Sequence, residues 1–150
     1  GQTKVTTVEL NHPGGCLGFR FDCQGRSFVF CTDHEQKAAP DPLLTEFARG
    51  ADLLYVDGQY VTDEYEGRTG VMGEAPMSRR GWGHSTVEAC VTSAVAAGVK
   101  RLHLGHREPK RDDTDLARIE AFAAQCLAKA GPGATGCRAC VPYEGLVVEL

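Results

Sequence analysis

Apolar residues fall into short, separate runs along the chain, and the period of each run predicts an element. Lys4 to Leu10 (KVTTVEL) alternates and is β-branched, which predicts a strand. His12-Pro13-Gly14-Gly15 breaks that pattern as a turn. Leu17 to Phe21 reads as a second strand, Asp22 to Arg26 as a hairpin turn, and Ser27 to Cys31 as a third strand, almost wholly apolar and so central. It runs into the polar cluster Thr32-Asp33-His34-Glu35. Pro42 to Arg49 predicts a short helix closed by Gly50, and Asp52 to Val56 an apolar strand.

Gln59 to Arg80 is Gly-rich, charged and aperiodic, and is expected to be a long loop of the functional or mobile kind. Ser85-Thr86-Val87-Glu88 has the form of a capping box opening a helix that stops at Gly98. Lys100 to Leu104 predicts a strand. Asp113 to Lys129 predicts a long helix with acidic residues in its first turn. Gly131 to Gly136 is expected to be a loop and Gly145 to Leu150 a last strand. The order is βββ-α-β-α-β-α-β, an α/β or α+β layered fold with an antiparallel start.

A length of 150 residues predicts a single domain, with 42% apolar and 24% charged residues. The net charge of −4 argues against a general nucleic-acid-binding face, yet permits a small phosphate-containing substrate held by a local cation or a metal. No run is long and apolar enough to span a membrane, and no signal peptide opens the chain. The chain has seven Cys and no secreted-type framework, so reduced thiols in a cytoplasmic protein are expected. Cys137-Arg-Ala-Cys140 stays open between buried thiols, half a zinc site and a redox pair. The chain does not start with Met, and Gly1 is expected to mark a processing or fragment boundary.

Three predicted strands each end beside a metal-capable side chain: His12, Asp33 and His106. Strand ends on one sheet edge converge, and imidazole and carboxylate suit zinc, manganese or iron. Asp33 alone among the three has two oxygens with which to bridge. His84 precedes a predicted helix N-terminus, where backbone N–H groups favour an anion; alternatively Ser85 caps the helix and His84 is incidental. Asp57 either orients a ligand His or forms an Asp-Gly turn. His34 and Glu35 are expected to be solvated, and His103 structural. Arg107, Lys110 and Arg111 read as a solvated charged turn, with steering of an anion as the alternative.

His12 in LNHPGG, Asp33 in FCTDHE, His84 in GWGHST and His106 in LGHREPKRDD form an ordered set. It resembles the later motifs of metallo-β-lactamase-fold hydrolases. The closest likeness is to the phosphodiesterase-like branch with the tRNA 3′-processing endonuclease and the cyclic-phosphate phosphodiesterases of phosphonate metabolism. The resemblance runs from about Val5 to Leu116. It implies that His12 binds one divalent metal, Asp33 bridges two, and His106 binds the second. It implies that His84 protonates the leaving group or holds a phosphate oxygen. The expected activity is hydrolysis of a phosphodiester by a metal-activated hydroxide, with zinc, manganese or iron as the ion.

The family's HxHxDH motif, which belongs to its N-terminal half, is absent. The chain is therefore expected to be the C-terminal half of an αββα sandwich, a mixed sheet with helices on one face. Alone it should bind metal weakly and be inactive, since each ion keeps one His and a share of Asp33. SFVFC and DLLYV need cover, so the expected partner is the missing N-terminal half or a second copy. The alternative is a non-catalytic half-domain that serves as a binding or dimerisation module.

Overall fold

In a computed structural model, which describes residues 1–134 and 136–150, the described strands form one mixed sheet whose spatial order repeats the chain order. They are β1 (Lys4–Leu10), β2 (Cys16–Cys23), β3 (Arg26–Cys31), β4 (Leu53–Asp57), β5 (Arg101–Gly105) and β6 (Arg138–Cys140). The first two pairings are antiparallel, and β3-β4, β4-β5 and β5-β6 are parallel. Each parallel step needs a crossover, supplied by α1 (Pro42–Phe47), then α2 (Thr62–Tyr65) with α3 (Val87–Ala97), then α4 (Asp113–Lys129). The layered α/β architecture is as the residue pattern predicts. No described helix is long and apolar enough to cross a membrane.

The register separates two faces. Leu10, Val29, Cys31, Leu54, Val56, Leu102 and Leu104 point to the helices and form one buried core with Leu44, Val87, Val91, Ala94, Ala123 and Leu127. Gly18 belongs to this face, where a Cβ would meet Cys31 Sγ at 2.8 Å. No described helix lies on the opposite face. It presents a ladder of rings, Phe19, Phe21, Phe28, Phe30 and Tyr55, with centroids 5.1 to 6.3 Å apart, stacked except where Phe28 meets Phe30 edge-on. Val5 and Leu17 flank it at 53% and 51% exposure. His103, paired with Tyr55 and Cys140 in the sheet, shares this face and is buried, in keeping with a structural role.

Several local expectations are corrected. Gly145 to Leu150 is not a strand, because the ladder position beside β5 is already filled by Arg138–Cys140. The tail is held instead by Arg101, whose guanidinium donates to Glu149 O at 2.8 Å. Gly131–Ala134 forms a 3-10 turn where a loop is expected, and Thr135 lies outside the described residues. The expected loop from Gln59 to Arg80 contains helix α2. Ser85 does not cap α3: Thr86 does, accepting from Ala89 N at 3.2 Å. Glu88 turns away to accept from Thr62 N, so the box does not close on itself. All seven Cys are free; Cys31 and Cys90 are buried, and burial pushes the Cys31 thiol up to about 12.

Candidate metal centre

β1 runs parallel to β3, β4 and β5, so their C-terminal ends share one sheet edge. His12 follows β1, Asp33 follows β3, Asp57 ends β4 and His106 follows β5. His84 enters the same edge from the segment before α3. Asp33 and His106 both lie in the left-handed region, at φ 55° and 49°. Non-glycine residues rarely stay there unless their surroundings demand it, and such strain concentrates at functional sites.

Asp33 Oδ1 stands 3.8 Å from His12 Nε2 and 3.5 Å from His106 Nδ1. These separations are too long for hydrogen bonds. They match two ligands of one ion, since atoms each ~2.1 Å from a metal across a tetrahedral angle are ~3.4 Å apart. His84 lies between the outer imidazoles. Its ring stacks on His106 with centroids 4.5 Å apart and meets His12 edge-on at 5.5 Å. Donor atoms of His12, Asp33 and His84 lie within 4.8 Å of one another, as do those of Asp57, His84 and His106. The nitrogen and carboxylate donors suit a borderline divalent ion.

Asp57 is fully buried and holds His84 Nδ1 through Oδ2 at 2.6 Å. Of the two roles open for Asp57, the structure shows the orienting contact, though its imidazole is His84 rather than His12 or His106. Burial disfavours the imidazolium of His84, but the bond and charge of Asp57, with Asp33 and Glu35 farther off, prevail and raise its pKa above the ordinary value. Asp57 also accepts from Gln59 N at 3.2 Å, so the turn reading holds in part.

Two residues expected to be solvated are buried. His34 accepts from Asn11 N through Nδ1 at 3.1 Å, and Ser85 Oγ donates to its carbonyl. Burial lowers its pKa despite nearby Asp41. The Glu35 carboxylate accepts from Tyr65 OH at 2.5 Å, Gly81 N at 2.7 Å and Gly83 N at 2.9 Å. Burial opposes its charge, yet these donors outweigh that and lower its pKa. Gly83, which the sequence left unassigned, packs on His12. At φ 92° it lies so close to His12 that a Cβ would stand 2.3 Å from Cδ2. Its place between Trp82 and His84 was the available signal. Arg111 is also no solvated turn residue, because its guanidinium is buried against Glu64 at 2.6 Å. Lys110 pairs with Glu74 and Arg107 donates to Pro142 O, so this cluster does not meet at the site.

A cleft of about 610 Å³ opens beside the centre, with His12 and His84 on its wall and Lys37, Tyr65 and Arg80 around it. The Glu35, Glu66 and Glu88 carboxylates on its lining are all engaged by protein donors.

Comparison with known proteins agrees with this architecture. Residues 2–107 match the beta-lactamase superfamily domain. Ribonuclease Z of Brevibacillus brevis is 35% identical over 91 residues, 61% of this chain and 24% of that protein. The structure of the metallo-beta-lactamase fold protein YhfI from Bacillus subtilis superposes with a TM-score of 0.68 at 17% identity, over 97% of this chain and 49% of that one. A diphosphatase of the PhnP family superposes with a TM-score of 0.57 at 19% identity, over 99% of this chain and 44% of its own. The chain thus spans about a quarter of the curated relative and just under half of each solved structure. Its fold and the match across residues 2–107 make the chain a member of the beta-lactamase superfamily.

Proposed function

We propose that this chain is part of a metal-dependent hydrolase of phosphodiester bonds. The observation that carries the reading is Asp33 Oδ1 poised between His12 and His106, with His84 stacked beside them and oriented by Asp57. The superfamily membership implies a divalent metal. The ligand set would be His12 on one ion, His106 on a second and Asp33 between them, with zinc the expected ion and manganese or iron the alternatives. Bound there, such ions supply Lewis-acid polarisation of the phosphoryl group and acidify a water.

The chain's own groups do the rest. Asp57 fixes the Nδ1 side of the His84 ring and so leaves Nε2 for substrate. Beside the Asp57 carboxylate, which raises its pKa above the ordinary value, His84 is placed to protonate the leaving oxygen or donate to a phosphate oxygen. The name of the curated relative, a ribonuclease, supports phosphodiester bonds as the target. Seven free thiols favour a reducing, cytoplasmic setting.

The aromatic face and the shares of the relatives covered support a further half of the molecule, or a second copy, lying against the sheet. A second reading, a non-catalytic binding or dimerisation module, is favoured by the ligand count of one imidazole plus a shared carboxylate per ion. Metal analysis and hydrolysis of bis(p-nitrophenyl) phosphate by the complete protein separate the two. Asp33→Ala should abolish both activity and bound metal, while His84→Ala should lower turnover at least 100-fold and keep the metal. If His84→Ala emptied the site, the assigned role of His84 would be wrong. No metal and no turnover in the complete protein would leave the module reading.

A further inference from the structure

The contacts of His34 and Glu35 extend the metal-centre reading to a residue that touches no candidate ligand side chain. The backbone of Glu35 is joined to Asn11 twice, through Glu35 N to Asn11 O at 2.9 Å and Asn11 Nδ2 to Glu35 O at 2.8 Å. Asn11 precedes His12. On the other side, Ser85 Oγ donates to His34 O and Gln36 N donates to Ser85 Oγ at 3.1 Å. The segment after Asp33 is thus tied to the neighbours of both His12 and His84.

The Glu35 side chain completes the connection. Its two oxygens take the amides of Gly81 and Gly83 together with the Tyr65 hydroxyl, a set of three donors that suits a carboxylate. Two of these donors are backbone groups in the turn immediately before His84. That turn is also pressed on His12, since a Cβ at Gly83 would lie 2.9 Å from His12 Nε2 and 2.7 Å from Pro13 Cδ. Trp82 N donates to Arg79 O at 3.2 Å and Arg79 lies over the Trp82 ring, but the Gly81 and Gly83 amides, both at positive φ, are taken by Glu35. An amide cannot reproduce the arrangement, because its NH2 group would face a donor.

We propose that Glu35 is the positioning residue for His84: it clamps the Gly81–Gly83 turn against His12 and so sets the distance between the two imidazoles. This rests on the hydrolase reading for its catalytic consequence but not for its structural one. Tyr65 fastens the far side of the same carboxylate to α2 and plays a lesser part.

The test compares wild type, Glu35→Gln and Tyr65→Phe in the complete protein. Amide hydrogen exchange at Gly81 and Gly83 should speed up at least tenfold in Glu35→Gln, with β3 and α3 unchanged. On bis(p-nitrophenyl) phosphate, kcat should fall about 10- to 100-fold, with KM and bound metal within twofold of wild type. Tyr65→Phe should stay within about threefold in kcat. Unchanged exchange at both glycines in Glu35→Gln would overturn the clamp. Faster exchange with unchanged kcat would overturn its link to His84. If wild type hydrolyses nothing, the hydrolase reading fails alone, and exchange together with the His12 to His84 proton NOE pattern still decides whether Glu35 sets that spacing.

Discussion

Gly83 shows how tightly single positions bear on the centre. Its φ of 92° is costly for any other residue, and its missing side chain makes room for the His12 ring. Gly83→Ala should displace His12 and lower kcat/KM on an activated phosphodiester at least 100-fold, with a loss of about 1–3 kcal/mol in stability read from a urea midpoint. Full activity in that variant would mean that the His12 ring does not work from this position. That His12, Asp33, His84 and His106 are candidates was legible because each is a metal-capable or acid-base side chain at a predicted element boundary, and the structure brings the four together. Gly83 and Glu35 were not. A glycine's role lies in the contact that it permits, and a lone Glu in a polar cluster gives no sign that three donors from distant segments will bury it.

The start of the sheet is fastened by a pairing that links β3 and β5. Buried Asp52 accepts from Ser27 N at 2.8 Å and from Lys100 Nζ at 2.7 Å. The Lys100 ammonium and the Ser27 amide overcome the cost of burial and hold the carboxyl at about 2, against an ordinary 3.8. A depressed carboxylate stabilises the fold above its unfolded pKa and loses that contribution as pH falls through the folded value. Exposure of Lys100 and Arg26 screens the effect to about 1 kcal/mol. Asp52→Asn should therefore be less stable than wild type from pH 7 to about 5, and the urea midpoints should converge between pH 4 and 2. A constant gap across that range would remove the electrostatic explanation. At this scale the long periodic elements were readable, β1, β3, α3 and α4 among them. β6 was not, since a three-residue RAC has no period of its own and is a strand only because β5 offers an open ladder. GLVVEL shows the converse: its pattern suits a strand, yet the place beside β5 is taken by β6.

For the whole molecule, the two faces of the sheet have different fates. One is sealed by α1, α3 and α4; the other leaves Phe30 at 36% exposure between Phe28, which it meets edge-on, and Tyr55, on which it stacks. An apolar surface of this kind costs free energy in water in proportion to its area, about 25 cal/mol per Å². The chain on its own should self-associate in sedimentation, and Leu17→Lys with Phe30→Lys should return it to a monomer. The same pair in the complete protein should lower stability by several kcal/mol if a further layer covers the rings. A wild-type chain that stays monomeric at high concentration would mean the rings need no cover. The bare face was expected from the apolar third and fourth predicted strands, but the continuity of the ring ladder across β2, β3 and β4 requires the register and is not visible in any one segment.

Because the strands lie side by side in the order in which they are synthesised, the sheet can grow by accretion from one border. Each new segment emerging from the ribosome finds its neighbour already placed, and none has to be wedged between two earlier arrivals. His12, Asp33 and Asp57 are laid down before His84 and His106, so the pocket is assembled progressively, one imidazole and its two carboxylates first and its last imidazole only when the fifth strand docks.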